Sequence, residues 1–300
     1  MTAVDEGALD PVAVLAALGV AGATVIGPVG GGRDTAIWRV EIGSQAGALR
    51  VFRPEQAAGC VREGAAMRAA SAAGLPVPAV LAEGAWRDRP AMLLTWLPGR
   101  TLADALATWP WRVSALGAAC GAMQARIHAV AAPAALGSAP ESWLGWFGPH
   151  EPVLRDRLRA LAAPSPSLLH LDYHPLNVLT DGRQITGVLD WTNARAGDPR
   201  ADLARSEAIL RLEPVATGPL GAIEMLLRRA LLAGWWRGYR QIAGPPADLA
   251  AFYAWAGRVM LRDRGPRPDR PDHSGSLSPR DLDRIRRWAA DWQRRADRPE

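Results

Sequence analysis

The first third of the chain alternates short apolar runs with turn residues, a pattern that predicts β-strands. The predicted strands cover residues 23–29, 35–42, 48–52, 80–83 and 91–96. Apolar positions at helical spacing predict two helices in the same region, over residues 10–18 and 56–73. Three consecutive glycines, residues 30–32, lie where the first two strands need a hairpin turn. We therefore predict an antiparallel sheet of about five strands with a helix beside it.

Beyond Leu97, Pro98 and Gly99 the apolar residues adopt the three-and-four spacing of amphipathic helices. Thr101 and Ser278 stand where helix N-caps are needed, and an Arg-, Pro-, Ser- and Gly-rich loop over residues 264–279 leads into the last helix. We predict an α+β fold with an N-terminal lobe over residues 1–96 and a mainly helical C-terminal lobe over residues 97–300. A cleft between such unlike lobes could hold a nucleotide.

The charge pattern argues against nucleic acid as a partner. All 35 basic residues are arginine, the net charge is +5, and most arginines alternate with Asp and Glu, which is typical of a solvated surface. The sequence shows no signal-peptide pattern and no apolar stretch long enough to cross a bilayer. Two distant cysteines, Cys60 and Cys120, indicate neither a zinc site nor a disulfide. We predict a cytoplasmic protein that binds neither nucleic acid nor membrane, and its oligomeric state stays open.

The residues with the clearest chemistry lie between positions 170 and 190. Apolar runs flank the pair Asp181-Gly182, which is typical of a tight β-hairpin. Folding the chain back there brings Asn177 and Asp190 to the open end of a two-stranded ribbon. Asp172 enters from the loop just before it. Two potential oxygen ligands and a further carboxylate therefore converge.

This arrangement suits phosphoryl transfer, in which positioning and electrostatic stabilisation supply most of the catalysis. Mg²⁺ binds a few protein oxygens together with water and phosphate oxygens. We predict that the Asn177 amide oxygen and the Asp190 carboxylate are metal ligands. Asp172, left free of metal, can orient an acceptor hydroxyl and accept its proton.

The segment from His170 to Asn177, with Asp172 inside it and Asp190 downstream, resembles the catalytic and metal-binding loops of kinases. A His-Pro pair inside the loop, a Trp after the downstream Asp, and the Gly-Asp-Pro and Asp-Leu-Ala of residues 197–204 make it similar to the aminoglycoside phosphotransferase and choline kinase family. The resemblance covers nearly the whole chain. It implies a protein-kinase-like bilobal fold, ATP or GTP as co-substrate and a small-molecule alcohol as acceptor.

The same resemblance assigns a role to the helix predicted over residues 56–73. Cys60, Glu63 and Met67 share one stripe of this helix, which directs Glu63 toward the sheet, where a buried carboxylate needs a cationic partner. Kinases supply that partner as a lysine from the third strand, which also holds the nucleotide phosphates. Here the position is Arg50, a departure that keeps the charge but changes its geometry.

One further match and one further departure follow from the resemblance. Residues 93–99 resemble the family's hinge, so main-chain groups of Thr95 and Trp96 are expected to bind the nucleotide base. Leu171 stands after the motif histidine, where the family usually has glycine.

Several of these residues keep a second interpretation from sequence alone. His170, Asp172 and His174 have the chemistry of zinc ligands, although that reading leaves Asn177 unexplained. His170 is also suited to fixing the loop through hydrogen bonds. Glu63 is compatible with a solvated helix charge.

The same holds for residues outside the motif. Asp198 fits either a loop cap or a metal ligand, and Asp202 fits an acceptor for the backbone of the catalytic loop. His128 ends a predicted helix, where it would interact with the helix dipole. Six aromatic residues fit either a helix core or a wall of the substrate site: Trp235, Trp236, Tyr239, Phe252, Tyr253 and Trp255.

We predict an enzyme that uses Mg²⁺ and ATP or GTP to phosphorylate a hydroxyl of an aminoglycoside- or macrolide-type antibiotic, a sugar or an amino alcohol. Residues 213–263 carry four acids against six arginines, which favours a neutral or mostly apolar acceptor over a polycation. The alternative is a non-catalytic nucleotide-binding pseudokinase, for which Arg50 is the supporting feature. A kinase acting on proteins is less favoured, because no activation-segment-like stretch separates Asp190 from Asp198.

Overall fold

The N-terminal part of the protein is a five-stranded antiparallel sheet in the order β1-β2-β3-β5-β4. The computed structural model describes residues 9–30, 35–137, 139–148, 151–163, 166–215, 218–265 and 277–298. The strands are β1 (Ala23–Pro28), β2 (Ala36–Ile42), β3 (Gln45–Val51), β4 (Val80–Trp86) and β5 (Arg89–Thr95). All five predicted strands are confirmed. Two of the three glycines in the predicted first turn, residues 31 and 32, lie outside the described ranges.

Two helices cover the two faces of this sheet. Helix α1 (Pro11–Ala17) begins at Asp10, whose carboxylate accepts a hydrogen bond from the Val12 N–H at 2.9 Å. It shares one apolar core with Ala91 and Leu93 of β5, whereas α2 (Ala57–Ala72) shares another core with Met92 and Leu94. Neighbouring residues of a strand face opposite ways, so β5 contributes to both cores. The helix predicted beside the sheet is confirmed.

The remainder of the chain is mainly helical, as predicted. Its helices are α3 (Leu102–Thr108), α4 (Val113–His128), α5 (Glu141–Leu144), α6 (Pro152–Leu161), α7 (Pro199–Leu212), α8 (Gly218–Ala243), α9 (Ala250–Arg264) and α10 (Pro279–Ala296). Short strands β6 (Arg100–Thr101), β7 (Ser167–Leu169), β8 (Val178–Thr180), β9 (Ile185–Val188) and β10 (Arg195–Gly197) form two small antiparallel sheets, β6-β8-β9 and β10-β7. The boundary of the two lobes at residue 96 stays a prediction.

Both predicted N-caps of this part are confirmed. The Thr101 hydroxyl accepts from the Asp104 N–H at 3.1 Å, and the Ser278 hydroxyl accepts from the Asp281 N–H at 3.2 Å. Most of the loop predicted over residues 264–279 lies outside the described ranges. No helix within those ranges is long and apolar enough to cross a membrane.

Helices α4 and α8 pack with their backbones in direct contact along a glycine seam. Gly117 and Gly121 of α4 face Gly234 and Gly238 of α8. A Cβ atom added at Gly121 would lie 1.9 Å from the carbonyl oxygen of Trp235, far inside van der Waals contact. Only residues without a side chain allow this approach, which brings Tyr239 of α8 within 3.0 Å of His128 at the end of α4.

The predicted aromatic cluster lies mostly in the helix core. Of its six members, Trp235, Phe252 and Trp255 are fully buried, and Tyr239 and Tyr253 are nearly so. The buried Trp143 packs against two of them, with ring centroids 5.9 Å from Phe252 and 5.0 Å from Trp255. These contacts favour the core interpretation over a substrate wall for five of the six residues.

Candidate active site

The hairpin formed by β8 and β9 turns at Asp181 and Gly182, as the sequence predicts. At its open end the Asn177 carbonyl accepts a hydrogen bond from the Leu189 N–H at 2.8 Å. This bond holds Asn177 beside the residue that precedes Asp190. The predicted convergence of the two side chains at one hairpin end is therefore present.

Asn177 is oriented by the loop over residues 170–177. Its side-chain Nδ2 donates to the Asp172 carbonyl at 3.0 Å and lies 3.4 Å from the Asp172 carboxylate. It also lies 3.3 Å from Nε2 of His174. No group within the described ranges donates to the amide oxygen. That oxygen is consequently the end of Asn177 that can bind a metal.

Asp190 follows the hairpin in the left-handed backbone region, with φ 58° and ψ 72°. Its Oδ1 accepts from the Thr192 hydroxyl at 2.8 Å and lies 4.0 Å from Arg50 Nη2, while 48% of the side chain is exposed. An amide oxygen and an accessible carboxylate suit Mg²⁺, which completes its shell with water and phosphate oxygens. Across the described residues, no three His, Cys, Asp or Glu side chains form a metal-binding group.

Arg50 of β3 and Glu63 of α2 form the ion pair that the resemblance implied, between Nη1 and Oε1. Glu63 is 0% exposed, so its interpretation as a solvated helix charge is wrong. Burial raises the pKa of Glu63, and the nearby guanidinium opposes that shift. Arg50 Nη2 lies 3.5 Å from the hydroxyls of Thr35 and Thr192, so one guanidinium links the sheet, α2 and the turn after the hairpin.

Thr192 belongs to the site, although sequence reasoning missed it. Its hydroxyl lies 3.0 Å from Glu63 Oε2 and 2.8 Å from Asp190 Oδ1. A hydroxyl has one proton, so Thr192 can donate to only one of these carboxylates at a time. The one available signal was a polar residue two positions after the predicted metal ligand.

Asp172 is ionised at neutral pH. Burial of its carboxyl group would raise the pKa, but His174 and Arg205 more than offset it, so that the pKa lies below the ordinary range. Nε2 of His174 lies 3.6 Å from Asp172 Oδ1, which is longer than a normal hydrogen bond.

Asp202 of α7 holds the 170–177 loop from behind. Its carboxylate accepts the backbone N–H groups of His170 at 2.9 Å and Leu171 at 2.8 Å, which confirms the interpretation of Asp202 as a loop acceptor. Leu171 is fully buried with φ 60°. A left-handed backbone costs a residue with a side chain about 1 kcal/mol, whereas glycine adopts it freely. The two hydrogen bonds to Asp202 help to hold this strained conformation.

His170 fixes the loop through both ring nitrogens. Nε2 donates to the Leu189 carbonyl at 2.9 Å, and Nδ1 accepts from the Asp172 N–H at 3.3 Å. Burial lowers the pKa of His170, so the ring is neutral and this single tautomer satisfies both contacts. A zinc ion would have to displace one of them, and the geometry therefore favours the loop-fixing role over the zinc alternative.

His128 lies in the last turn of α4, as predicted, and its ring also contacts two other helices. Its Nε2 lies 3.0 Å from Asp202 Oδ2, and its Nδ1 lies 3.0 Å from the Tyr239 hydroxyl. The glycine seam between α4 and α8 brings Tyr239 to the ring from a distant part of the chain. Burial would raise the pKa of Asp202, but the hydrogen bonds from the His128 ring and from the His170 N–H bring it below the ordinary range.

Asp198 caps helix α7. Its carboxylate accepts the N–H of Arg200 at 2.9 Å and the N–H of Ala163 at 2.9 Å, and the side chain is buried. These contacts favour the capping interpretation over a metal ligand.

Thr95 and Trp96 lie where the chain leaves β5. The Thr95 N–H donates to the Ala79 carbonyl at 3.0 Å, and the Trp96 N–H donates to the Ala46 carbonyl at 3.0 Å. Both N–H groups are thus used within the protein. Main-chain binding of a nucleotide base by this pair stays a prediction, and it can involve only their carbonyl groups. The next N–H, that of Leu97, meets no acceptor within the described ranges.

Comparison with known proteins assigns a family to this arrangement. The sequence model of the Phosphotransferase enzyme family matches residues 25–244, more than two thirds of the chain. No curated protein matches the sequence.

Solved structures share the fold at low sequence identity. A protein of Ralstonia eutropha JMP134, named as a candidate aminoglycoside phosphotransferase, matches with a TM-score of 0.66 at 18% identity, over 96% of this chain and 99% of that one. Aminoglycoside phosphotransferase APH(4)-Ia matches with a TM-score of 0.58 at 20% identity, over 95% and 96%. Macrolide 2′-phosphotransferase MphH of Brachybacterium faecium gives 0.51 at 20% identity, over 96% and 98%.

A thermostable mutant of APH(4)-Ia, with a TM-score of 0.55 at 20% identity over 95% of each chain, was solved in complex with ADP and hygromycin B. These similarities confirm the predicted α+β, kinase-like fold, with its antiparallel N-terminal sheet and helical C-terminal part. The family match confirms the resemblance drawn from the sequence. The chain belongs to the Phosphotransferase enzyme family.

Proposed function

We propose that this protein transfers the γ-phosphate of ATP or GTP to a hydroxyl group of a small molecule. The observation that carries the proposal is the meeting of Asp172, Asn177 and Asp190 at one hairpin end, with Arg50 4.0 Å from the Asp190 carboxylate. Membership of the phosphotransferase family supports the reaction class. The ADP complex of the APH(4)-Ia mutant supports a nucleotide as co-substrate.

In this proposal Asn177 and Asp190 hold Mg²⁺ through the amide oxygen and the carboxylate. When bound, Mg²⁺ neutralises charge on the triphosphate as the phosphoryl group is transferred. Both side chains are held before metal binding, Asn177 by the 170–177 loop and Asp190 by the Thr192 hydroxyl. Ligands held in this way lose little conformational freedom when the metal binds.

Asp172 orients the acceptor hydroxyl and receives its proton. Its lowered pKa keeps the carboxylate ionised at neutral pH, and it also makes the carboxylate a weak base. A weak base is sufficient, because the transition state of phosphoryl transfer is loose and the hydroxyl needs little deprotonation before it attacks. Alignment of the hydroxyl is then the larger part of the Asp172 contribution.

Arg50 contributes a donor to the phosphates of the nucleotide. Its Nη1 is committed to Glu63, whereas the contacts of Nη2 within the described part of the chain are all 3.5 Å or longer. Nη2 can therefore turn toward a phosphate oxygen without breaking a strong bond. An arginine that serves both a carboxylate and a phosphate exploits the forked geometry of the guanidinium group.

The acceptor is a neutral or mostly apolar alcohol rather than a polycation. A polycationic acceptor needs unpaired carboxylates, and each of the four acids in residues 213–263 already pairs with an arginine. The pairs are Glu213 with Arg264, Glu224 with Arg228, Asp248 with Arg200, and Asp263 with Arg205. A macrolide 2′-phosphotransferase is among the structural neighbours, so the fold is compatible with an acceptor of that class.

Release of ADP and GDP measured with Mg²⁺ against pooled macrolides, sugars, amino alcohols and aminoglycosides tests the proposal. Asp172→Ala is expected to lower acceptor-stimulated release by about 100-fold or more. Asp156→Ala, which removes an exposed carboxylate on α6, is the matched control and should retain full activity. Stimulation that survives in Asp172→Ala would remove Asp172 from the mechanism. Nucleotide binding without stimulation by any pool would support the pseudokinase alternative, for which Arg50 is the feature in favour.

A further inference from the structure

The first half of helix α8 extends beyond the helix that covers its second half. A Cβ atom added at Gly234 would lie 2.4 Å from the Ser114 carbonyl oxygen. One added at Gly238 would lie 1.9 Å from the carbonyl oxygen of Ala118. The two helices therefore run parallel, with the first turn of α4 beside Gly234. At 1.5 Å per residue, the stretch over residues 218–230 leaves roughly 20 Å of α8 beyond the start of α4.

One stripe of this extension is apolar and leads from solvent into the protein. Its members are spaced by three, four and four residues, which places them along one side of the helix: Leu220, Ile223, Leu227 and Leu231. Exposure falls from 73% at Leu220 and 56% at Ile223 to 4% at Leu231. Leu227, between them, is partly buried against the apolar core. We call these four residues the α8 stripe.

The charged side chains beside the α8 stripe are engaged within the protein. Arg228 Nη2 lies 2.6 Å from Glu224 Oε1, one turn earlier on the helix. Nη1 of the same arginine donates to the Glu213 carbonyl at 2.6 Å. The stripe therefore offers a ligand apolar contact rather than charge.

The inner end of the α8 stripe reaches the 170–177 loop. Leu231 lines a small cavity together with His174 and Pro175 of that loop. Nε2 of His174 lies 3.6 Å from Asp172 Oδ1, so one side chain separates the cavity from the carboxylate that is proposed to orient the acceptor. The stripe is therefore continuous with the candidate active site.

The cavity suits an apolar group better than it suits water. Its volume is about 10 Å³, close to the least that holds one water molecule. Two of the residues that line it have already used their polar atoms. The Tyr173 hydroxyl donates to the Cys120 carbonyl at 2.8 Å, and Trp235 Nε1 donates to Gln124 at 2.8 Å. A water molecule needs two to four polar partners, so a methyl-sized group is the better occupant.

We propose that the α8 stripe binds the acceptor, and that the acceptor is an alcohol with an extended apolar face. This face packs along Leu220, Ile223 and Leu227, a methyl-sized group at its inner end enters the cavity, and the reacting hydroxyl lies toward Asp172. Continuity with the candidate active site favours the acceptor over a second copy of the chain as the occupant. The identification of the ligand as the acceptor rests on the proposed function, whereas the affinity of the stripe for an apolar molecule does not.

Isothermal titration calorimetry with two glucosides tests the stripe. The probes are n-octyl β-D-glucopyranoside, kept below the concentration at which it forms micelles, and methyl β-D-glucopyranoside. They carry the same hydroxyl groups and differ only in the length of the apolar chain. The wild-type protein should bind the octyl glucoside saturably and about tenfold or more tightly than the methyl glucoside. Leu220→Gln and Ile223→Gln should each weaken binding of the octyl glucoside by about three- to tenfold.

Ile242→Gln is the matched control. Ile242 lies at the other end of the same helix and is 58% exposed, against 56% for Ile223. This variant should bind the octyl glucoside like the wild type. All three substitutions change exposed side chains, and circular dichroism establishes that each variant is folded. Equal binding of the two glucosides by the wild type, or equal weakening by Ile223→Gln and Ile242→Gln, would overturn the proposal.

Steady-state kinetics with the acceptors found in the pooled assay separates this proposal from the proposed reaction. Ile223→Gln should raise the KM for the acceptor by about three- to tenfold with little change in kcat, because the stripe binds the acceptor and takes no part in proton transfer. Turnover with the same KM in Ile223→Gln and Ile242→Gln would overturn the proposal and leave the reaction intact. Turnover of no acceptor, with octyl glucoside binding that depends on Ile223, would overturn the identification of the ligand as the acceptor.

Sedimentation equilibrium tests the other possible occupant of the stripe. The wild type and Ile223→Gln should have the same mass in solution. A dimer in the wild type and a monomer in Ile223→Gln would overturn the proposal in favour of a second copy of the chain.

Discussion

Glu63 and Asp202 are both 0% exposed, yet the protein satisfies the two carboxylates in different ways. Glu63 depends on two side chains, the Arg50 guanidinium and the Thr192 hydroxyl. Asp202 accepts two backbone N–H groups and pairs with His128. The pKa values move in opposite directions: burial dominates at Glu63 and raises its pKa, whereas hydrogen bonds from His128 and the loop backbone lower that of Asp202.

The difference reflects two kinds of region. Backbone N–H groups are fixed by the fold, so they stabilise the Asp202 carboxylate without ordering additional side chains. Arg50 is shared among several weak contacts and stands at the edge of the proposed nucleotide site. We infer that the surroundings of Asp202 form a rigid scaffold for the 170–177 loop, and that the Arg50–Glu63 pair is free to rearrange when a ligand binds.

The largest expected effect comes from a steric clash where α4 packs against α8. Gly121→Ala places a Cβ atom 1.9 Å from the Trp235 carbonyl oxygen, so α4 and α8 must separate. We expect a loss of about 4 kcal/mol or more in the free energy of unfolding, measured by urea denaturation. Gly59→Ala, on α2 beside the ion pair, meets nothing closer than 3.8 Å and should stabilise by about 0.5–1 kcal/mol. Equal changes in the free energy of unfolding for Gly121→Ala and Gly59→Ala would contradict the inferred difference between the two regions.

Asp202→Asn is expected to have the next largest effect. A single amide oxygen cannot accept from His170, Leu171 and His128 at once, so at least one buried donor loses its partner. The expected loss in the free energy of unfolding is about 3 kcal/mol. Hydrogen exchange at the backbone of residues 170–172 provides a second readout and should accelerate. Protection that is unchanged there would show that Asp202 does not hold the loop.

Glu63→Gln should lower the free energy of unfolding less than Asp202→Asn does, and its main effect should be on nucleotide binding. Gln keeps the shape of the side chain and a hydrogen bond to Arg50, which is itself only partly buried, so we expect a loss of about 1–2 kcal/mol. The freed guanidinium is expected to raise the KM for the nucleotide by about tenfold. Glu83→Gln, which removes an exposed carboxylate from the same part of the molecule, is the control. If Glu63→Gln lowered the free energy of unfolding more than Asp202→Asn does, the roles proposed for the two carboxylates would be reversed.

The smallest effect is a difference in pH dependence. The folded-state pKa of Glu63 is raised above its ordinary value of 4.5, so its stabilising contribution is complete below pH 4.5 and is lost as the pH rises through the folded pKa. The pKa of Asp202 lies below its ordinary value of 3.8, so its contribution is present above pH 3.8 and is lost as the pH falls through the folded pKa. Urea unfolding should be measured over a pH range that spans both folded-state pKa values. The loss in the free energy of unfolding caused by Glu63→Gln should become smaller as the pH rises. The loss caused by Asp202→Asn should become smaller as the pH falls. The same pH dependence of the two losses would contradict the opposite pKa shifts assigned to Glu63 and Asp202.

Much of the candidate site follows local rules that can be read from the sequence. The hairpin that joins Asn177 to Asp190 depends on Asp181-Gly182 and on the flanking apolar runs, all within a short segment. The five strands were predicted for the same reason. β3 nevertheless starts three residues before its predicted beginning, because pairing with β2 and β5 on either side holds Ala46 and Gly47 extended despite their weak strand preference.

The contacts that sequence reasoning missed join residues remote along the chain. His128 meets Tyr239 and Asp202 only because the glycine seam places α8 against α4. Thr192 reaches Glu63 only because α2 packs on the turn after the hairpin. No periodicity or turn signal reports which helix faces which, since that choice depends on the packing of many side chains at once.

The sequence by itself determined the strands, the helix caps, the hairpin and the family of this protein, because these depend on residue spacing and on conformational preferences within short segments. It also placed Glu63 on the inward face of its helix. The tertiary structure alone decided the partners of the buried charges: Arg50 and Thr192 for Glu63, and the loop backbone with His128 for Asp202. Burial makes such partners necessary, but only the packing of distant elements selects which donor arrives.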